Sequence, residues 1–201
     1  MIQNDQNDAC LVSENLNEPT TICFLCNLPK IKLNLSLGVP ICLNCWGINT
    51  NDFQQYKDDR SIFFPEIDKI SEKIYLGNED AQRDKDNLKK LGITHILVVG
   101  SCLDIFHPND FEYKQFQVDD FPTENIAQYF EEAYDFMEKS EKVFVHCANG
   151  VSRSASIVIS YFMKKNNMKF GEAFDFVKSK RHVIFPNGGF VKQLENYIPK
   201  K

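Results

Sequence analysis

Lys142-Val143-Phe144-Val145-His146-Cys147-Ala148-Asn149-Gly150-Val151-Ser152-Arg153-Ser154 runs from an apolar stretch, through a loop of small residues, into a helical pattern over residues 156–165. Four residues of this composition read as a buried strand, so Cys147 falls where a strand ends and a helix begins. Such a loop aims successive backbone N–H groups at one point as an anion nest, and the helix N-terminus adds partial positive charge. Both favour a thiolate and a bound phosphate-like anion.

The side chains complete that chemistry. Gly150 permits an unusual backbone dihedral and a close approach to oxygens. Arg153 offers a planar fork that holds two oxygens at once, which lysine cannot reproduce. Cationic surroundings and a helix N-terminus favour the thiolate form of a cysteine, so Cys147 is expected to be largely ionised. The reading is covalent phosphate transfer. Cys147 attacks phosphorus, and Arg153 with the amides of residues 147–153 (Cys147, Ala148, Asn149, Gly150, Val151, Ser152 and Arg153) stabilises the equatorial oxygens. Ser154 donates to the sulfur as it leaves, and no cofactor is needed for catalysis. His146 has two open readings: it orders the loop and helps hold the thiolate, or it is a core histidine closing a buried strand.

Outward from this segment, short apolar strands alternate with amphipathic helices. Strands are predicted at residues 73–76, 94–99, 113–118 and 142–145. Helices are predicted at 78–91, 125–140, 152–165, 169–180 and 188–197. This alternation implies an α/β fold with a central, mainly parallel sheet flanked by helices. The domain organisation read from the chain is a disordered, Asn- and Asp-rich tail over 1–20, a small unit over 21–50, a linker over 51–66 and the catalytic domain over 67–201.

The small unit carries four of the seven cysteines, as Cys23-x-x-Cys26 and Cys42-x-x-Cys45 separated by fifteen residues. That spacing predicts a closed four-sulfur structural Zn²⁺ site in a zinc-ribbon-like unit. Between the pairs Ile31, Leu33, Leu35, Leu37, Val39 and Ile41 alternate with polar or small residues, which predicts a hairpin turning near Gly38-Val39-Pro40. A unit this small needs a metal to fold, and it could present a surface to a protein partner. A net charge of −5 gives no long-range attraction for nucleic acid or an anionic membrane. The odd cysteine count argues against a disulfide framework. No secretory leader or membrane-spanning apolar run is recognisable, so a cytoplasmic or nuclear location is expected.

Beyond the loop, Ile74-Tyr75-Leu76-Gly77-Asn78, Leu91-Gly92-Ile93-Thr94-His95-Ile96-Leu97, Tyr113-Lys114-Gln115, Val145-His146-Cys147 and Phe185-Pro186-Asn187-Gly188-Gly189-Phe190 appear in an order that resembles the cysteine-dependent dual-specificity protein phosphatases. The resemblance covers about two thirds of the chain. It implies hydrolysis of phosphotyrosine and phosphoserine/threonine on proteins through a phosphocysteine intermediate. The family's nucleophile falls on Cys147, its arginine on Arg153 and its hydroxyl on Ser154. Its general acid falls within Val118-Asp119-Asp120-Phe121. Matching Tyr113-Lys114-Gln115 and Asn125-Ile126 to the family pattern selects Asp120 over Asp119, and strand alternation places Asp120 on the side of Phe116 and Val118.

Asn149 departs from the alanine usual before the loop glycine, which bears on loop rigidity and rate. Phosphoinositide-preferring relatives carry lysines in the loop, whereas Ala148 and Val151 are uncharged, so the resemblance implies a protein substrate. Cys102, after a strand expected beside the one leading to Cys147, matches a cysteine that in some relatives traps the oxidised nucleophile. It is a candidate redox partner. Two other functions compete: a catalytically weak phosphoprotein-binding adaptor targeted by its zinc unit, and a sulfur-transfer enzyme. The combination of Cys147, Arg153 and Asp120 argues against both.

Overall fold

The computed structural model describes residues 33–34, 41–42 and 67–199, and the chain divides into two units, Met1–Asp52 and Phe53–Lys201. In the first, β1 (Leu33–Asn34) pairs antiparallel with β2 (Ile41–Cys42), Leu33 opposite Cys42. That antiparallel pairing agrees with the strand pair expected from the apolar alternation, and the turn expected near Gly38-Val39-Pro40 lies outside the described residues. Cys23, Cys26 and Cys45, the tail over 1–20 and the linker over 51–66 lie outside the described residues.

The second unit is built on a five-stranded sheet. Its strands are β3 (Ile67–Lys69), β4 (Ile74–Gly77), β5 (His95–Val99), β6 (Glu112–Phe116) and β7 (Val143–His146), in the spatial order β3-β4-β7-β5-β6. Only the β3–β4 pairing is antiparallel. The parallel centre explains the sequence: β4 and β7 are covered on both faces, and every residue in them is buried. Side-chain alternation then sorts these strands into two cores. Leu76, Leu97, Val99, Val143 and Val145 face one helical layer. Tyr75, Ile96, Val98 and Phe144 face Leu88 and Phe111 on the other side.

The helices are α1 (Lys85–Leu91), α2 (Phe130–Lys139), α3 (Arg153–Lys165), α4 (Phe170–Lys180) and α5 (Gly188–Glu195). α3 is the axis of the larger core, with Ser154 through Met163 all buried. Two predicted helices are shorter than expected. Residues 78–91 split into a 3-10 turn, Asp80–Arg83, and α1, because Asp84 leaves helical geometry and its carboxylate caps Asn87 N–H at 3.0 Å. Residues 125–140 likewise begin as a 3-10 turn, Ile126–Tyr129. β3, which was not predicted as a strand, is recognisable only from its pairing with β4.

β6 stops at Phe116, which corrects the alternation argument for Asp120. Phe116 and Val118 are buried, but Asp120 lies beyond the strand and is exposed.

Candidate active site

The loop between β7 and α3 is shaped from outside by four hydrogen bonds from three residues. Glu79 N–H donates to the Ala148 carbonyl at 3.2 Å. Arg181 donates from Nη2 to the Asn149 carbonyl at 3.2 Å and from Nε to the Gly150 carbonyl at 2.8 Å. Phe185 N–H donates to the Val151 carbonyl at 2.8 Å. In a planar trans peptide the following N–H points opposite to the carbonyl. Drawing four successive carbonyls outward therefore turns the amides of Asn149, Gly150, Val151 and Ser152 toward the interior of the loop. The anion nest expected from the sequence is the consequence of these four outer bonds.

Gly150 adopts φ +65°, and a Cβ there would fall on the Gly77 carbonyl at the end of β4. Its close approach is to the backbone behind the loop. Ser152 precedes α3 without capping it through its side chain. The N-terminal amides of a 13-residue helix are thus left for an anion.

Cys147 is buried and packs with the core beneath α3. Ser154 Oγ donates to its sulfur at 3.1 Å. Among the described residues, buried Arg153 Nε has no hydrogen-bond partner, and the nearest carboxylate oxygen, Asp120 Oδ2, is 3.7 Å away. A buried donor held this way at the mouth of an amide nest suits an incoming oxyanion.

Asp120 is anchored through one oxygen. Ser152 Oγ donates to Oδ1 at 2.7 Å and Asn187 Nδ2 donates to the same atom at 2.8 Å. Ser152 Oγ in turn accepts from Asn187 N–H at 3.1 Å. Asn187 is itself fixed as the cap of α5, its Oδ1 accepting from Gly189 and Phe190 N–H, each at 3.0 Å. Gly189 permits this docking, since a Cβ there would fall on the Pro122 carbonyl just beyond Asp120. With Oδ1 taken by two donors, Oδ2 is the oxygen that faces Arg153.

His146 sits on the opposite side of β7 from the thiol. Its ring stacks on Phe144 at 5.2 Å, and among the described residues neither ring nitrogen has a hydrogen-bond partner. Complete burial, opposed by the adjacent Cys147 backbone, pushes its pKa down to about 4. The ring is neutral at pH 7 and supports the loop by packing. Cys102 is exposed, on the turn after β5, whose partner strand β7 places Val98 opposite His146. Cys102 and Cys147 are both free thiols. Asn149 is exposed on the loop, and Asp119 is exposed too and forms no part of the Asp120 network just described.

Sequence alone assigns no site role to Asn187, Arg181 or Asp68, whose carboxylate receives Arg181 Nη1 at 2.7 Å. For Asn187 a signal exists, because an asparagine ahead of a Gly-Gly helix start is a recognisable cap.

A family model described as the dual specificity phosphatase catalytic domain matches residues 74–199. Dual specificity protein phosphatase 1 of Arabidopsis thaliana is 42% identical over 145 residues, spanning 70% of this chain and 71% of that protein. The human tyrosine phosphatase-like serine/threonine/tyrosine-interacting protein superposes with a TM-score of 0.64 at 34% identity, over 66% of this chain and 95% of that one. Human DUSP28 gives a TM-score of 0.62 at 27% identity, over 65% of this chain and 91% of its own. The loop from Cys147 to Arg153 and the anchored Asp120 both lie within the matched residues, and the chain belongs to the dual specificity phosphatase catalytic-domain family.

Proposed function

We propose that the protein hydrolyses phosphotyrosine and phosphoserine/threonine on protein substrates in two steps. The Cys147 thiolate attacks phosphorus, the ester P–O bond breaks, and Asp120 Oδ2 delivers its proton to the leaving oxygen. A phosphocysteine results. Water then attacks phosphorus, its proton returns to Asp120, and the S–P bond breaks to release phosphate while Ser154 donates to the departing sulfur. Arg153 and the inward amides hold the equatorial oxygens in both steps. The observation that carries this reading is the anchoring of Asp120 by one oxygen, with the other turned toward the arginine beside the loop. An anion-binding adaptor or a sulfur-transfer enzyme has no use for that arrangement.

Phosphate release from an aryl phosphate and from phosphotyrosyl and phosphothreonyl peptides tests it. The wild type should turn over, and Cys147→Ser should bind phosphopeptide without turnover. Binding without turnover by the wild type would instead support the adaptor, and turnover surviving Cys147→Ser would refute the covalent route.

The same reading includes a structural Zn²⁺ held by Cys23, Cys26, Cys42 and Cys45, supported by their spacing and by the β1–β2 pairing that ends at Cys42. The metal would contribute folding energy to the N-terminal unit, which offers a surface for a protein partner. Metal analysis should find about one zinc per chain in the wild type, and loss of it in a Cys23→Ser, Cys42→Ser variant. Equal zinc content in both would discard the site.

A further inference from the structure

Arg181 is the C-terminal cap of α4, and its side chain is wholly shielded from solvent. A buried guanidinium needs a counter-charge and partners for its donors. The partners found are specific: Asp68 on β3 takes Nη1, and the carbonyls of Asn149 and Gly150 take Nη2 and Nε. Nε and Nη2 form one edge of the planar fork, so a single group fixes two successive peptide planes of the loop. Asp68 lies outside residues 74–199 that match the family model, and the two-step chemistry above uses neither residue.

We propose that Arg181 and Asp68 are a positioning pair for catalysis, in which the guanidinium holds the Asn149 and Gly150 carbonyls away from the phosphate so that the Gly150 and Val151 amides face it. Asp68 sets the angle of the fork by holding its far end. Burial pulls the ionisation of Arg181 down, while the Asp68 carboxylate and, more weakly, the charge of Cys147 hold it up. The cation and the sulfur therefore lie within one another's field. The pair rests on the phosphatase reading for its effect on turnover, but not for its effect on oxyanion binding.

The test uses the full-length protein, with tungstate as the oxyanion and an aryl phosphate as substrate. Calorimetric titration should show tungstate bound about tenfold more weakly by Asp68→Asn and by Arg181→Lys, as expected when a charge-assisted contact is lost. The kcat/KM for Arg181→Lys should fall about 10²-fold, the scale for disturbing an oxyanion donor. Asp68→Glu should recover much of the affinity lost in Asp68→Asn. A purely structural role predicts a lower melting temperature with an unchanged tungstate Kd in the folded protein, and that result would overturn the proposal. Should Arg181→Lys fail to fold, the Asp68→Asn and Asp68→Glu pair decides alone. Wild type that binds tungstate but does not turn over would defeat the phosphatase reading and leave the positioning pair to be judged on Kd.

Discussion

Two arginine–aspartate pairs grip the same loop from opposite sides, and they differ in tightness and exposure. In front, Arg153 and Asp120 stand 3.7 Å apart without a hydrogen bond, their side chains 14% and 37% exposed. Behind, Arg181 and Asp68 meet at 2.7 Å, at 0% and 26%. In the proposed reaction the loose pair is the one whose members change partners, Arg153 taking phosphoryl oxygens and Asp120 passing a proton. The tight pair exchanges nothing. The front pair stays open, with Arg153 Nε unpartnered among the described residues and Asp120 held through Oδ1, whereas the rear pair is closed by a direct bond.

The sharpest way to break this contrast is to remove the front acid. Asp120→Asn should lower kcat/KM on phosphopeptides by about 10²–10³-fold, the range for a general acid, with the melting temperature nearly unchanged. A large loss of stability would mean that Asp120 is scaffold as well. At the rear, Gly150→Ala should destabilise the fold by about 2–3 kcal/mol in denaturant unfolding, because it combines a left-handed φ with a Cβ placed on the Gly77 carbonyl. Retained stability would show that the loop can retreat from β4.

His146 extends the contrast to pH. Its folded pKa is about 4, against 6.5 for the unfolded residue. As pH falls below 6.5 the unfolded chain takes up a proton that the folded protein refuses, so stability declines until about pH 4 and then levels. Between pH 6.5 and 5 the wild type should lose about 2 kcal/mol more than His146→Phe. Parallel stability curves for the two proteins would place the buried ring in some other charge state. The smallest effect is expected from Asn187→Ala, which removes one donor to Asp120 and the cap of α5. It should cost about tenfold in kcat and about 1 kcal/mol in stability. A change in stability alone would reduce Asn187 to a helix cap.

The front half of the site was legible in the sequence because its parts are neighbours along the chain: Cys147, Gly150, Ser152, Arg153 and Ser154 fall within eight residues. Asp120 came from a family pattern, and the strand alternation invoked for it failed because β6 ends at Phe116. The rear half was invisible for a different reason. Asp68 and Arg181 are 113 positions apart, and they meet only because β3 adds antiparallel to β4 while α4 returns beneath the loop. No spacing rule connects them. The parallel centre of the sheet is legible from apolar runs, whereas its strand order is not, and the splits at Asp84 and at Phe130 depend on local caps and 3-10 turns that periodicity does not resolve.

The outward bonds from residues 79, 181 and 185 to the loop have a consequence for biosynthesis. A nascent chain that has emerged only through α3 already carries its cysteine, its arginine and the helix behind them, yet two of the three clasps are still inside the ribosome. The outer bonds that shape the loop therefore form only after residues well beyond the signature have emerged, and a fragment ending before Arg181 would carry an intact signature sequence without the bonds from Arg181 and Phe185.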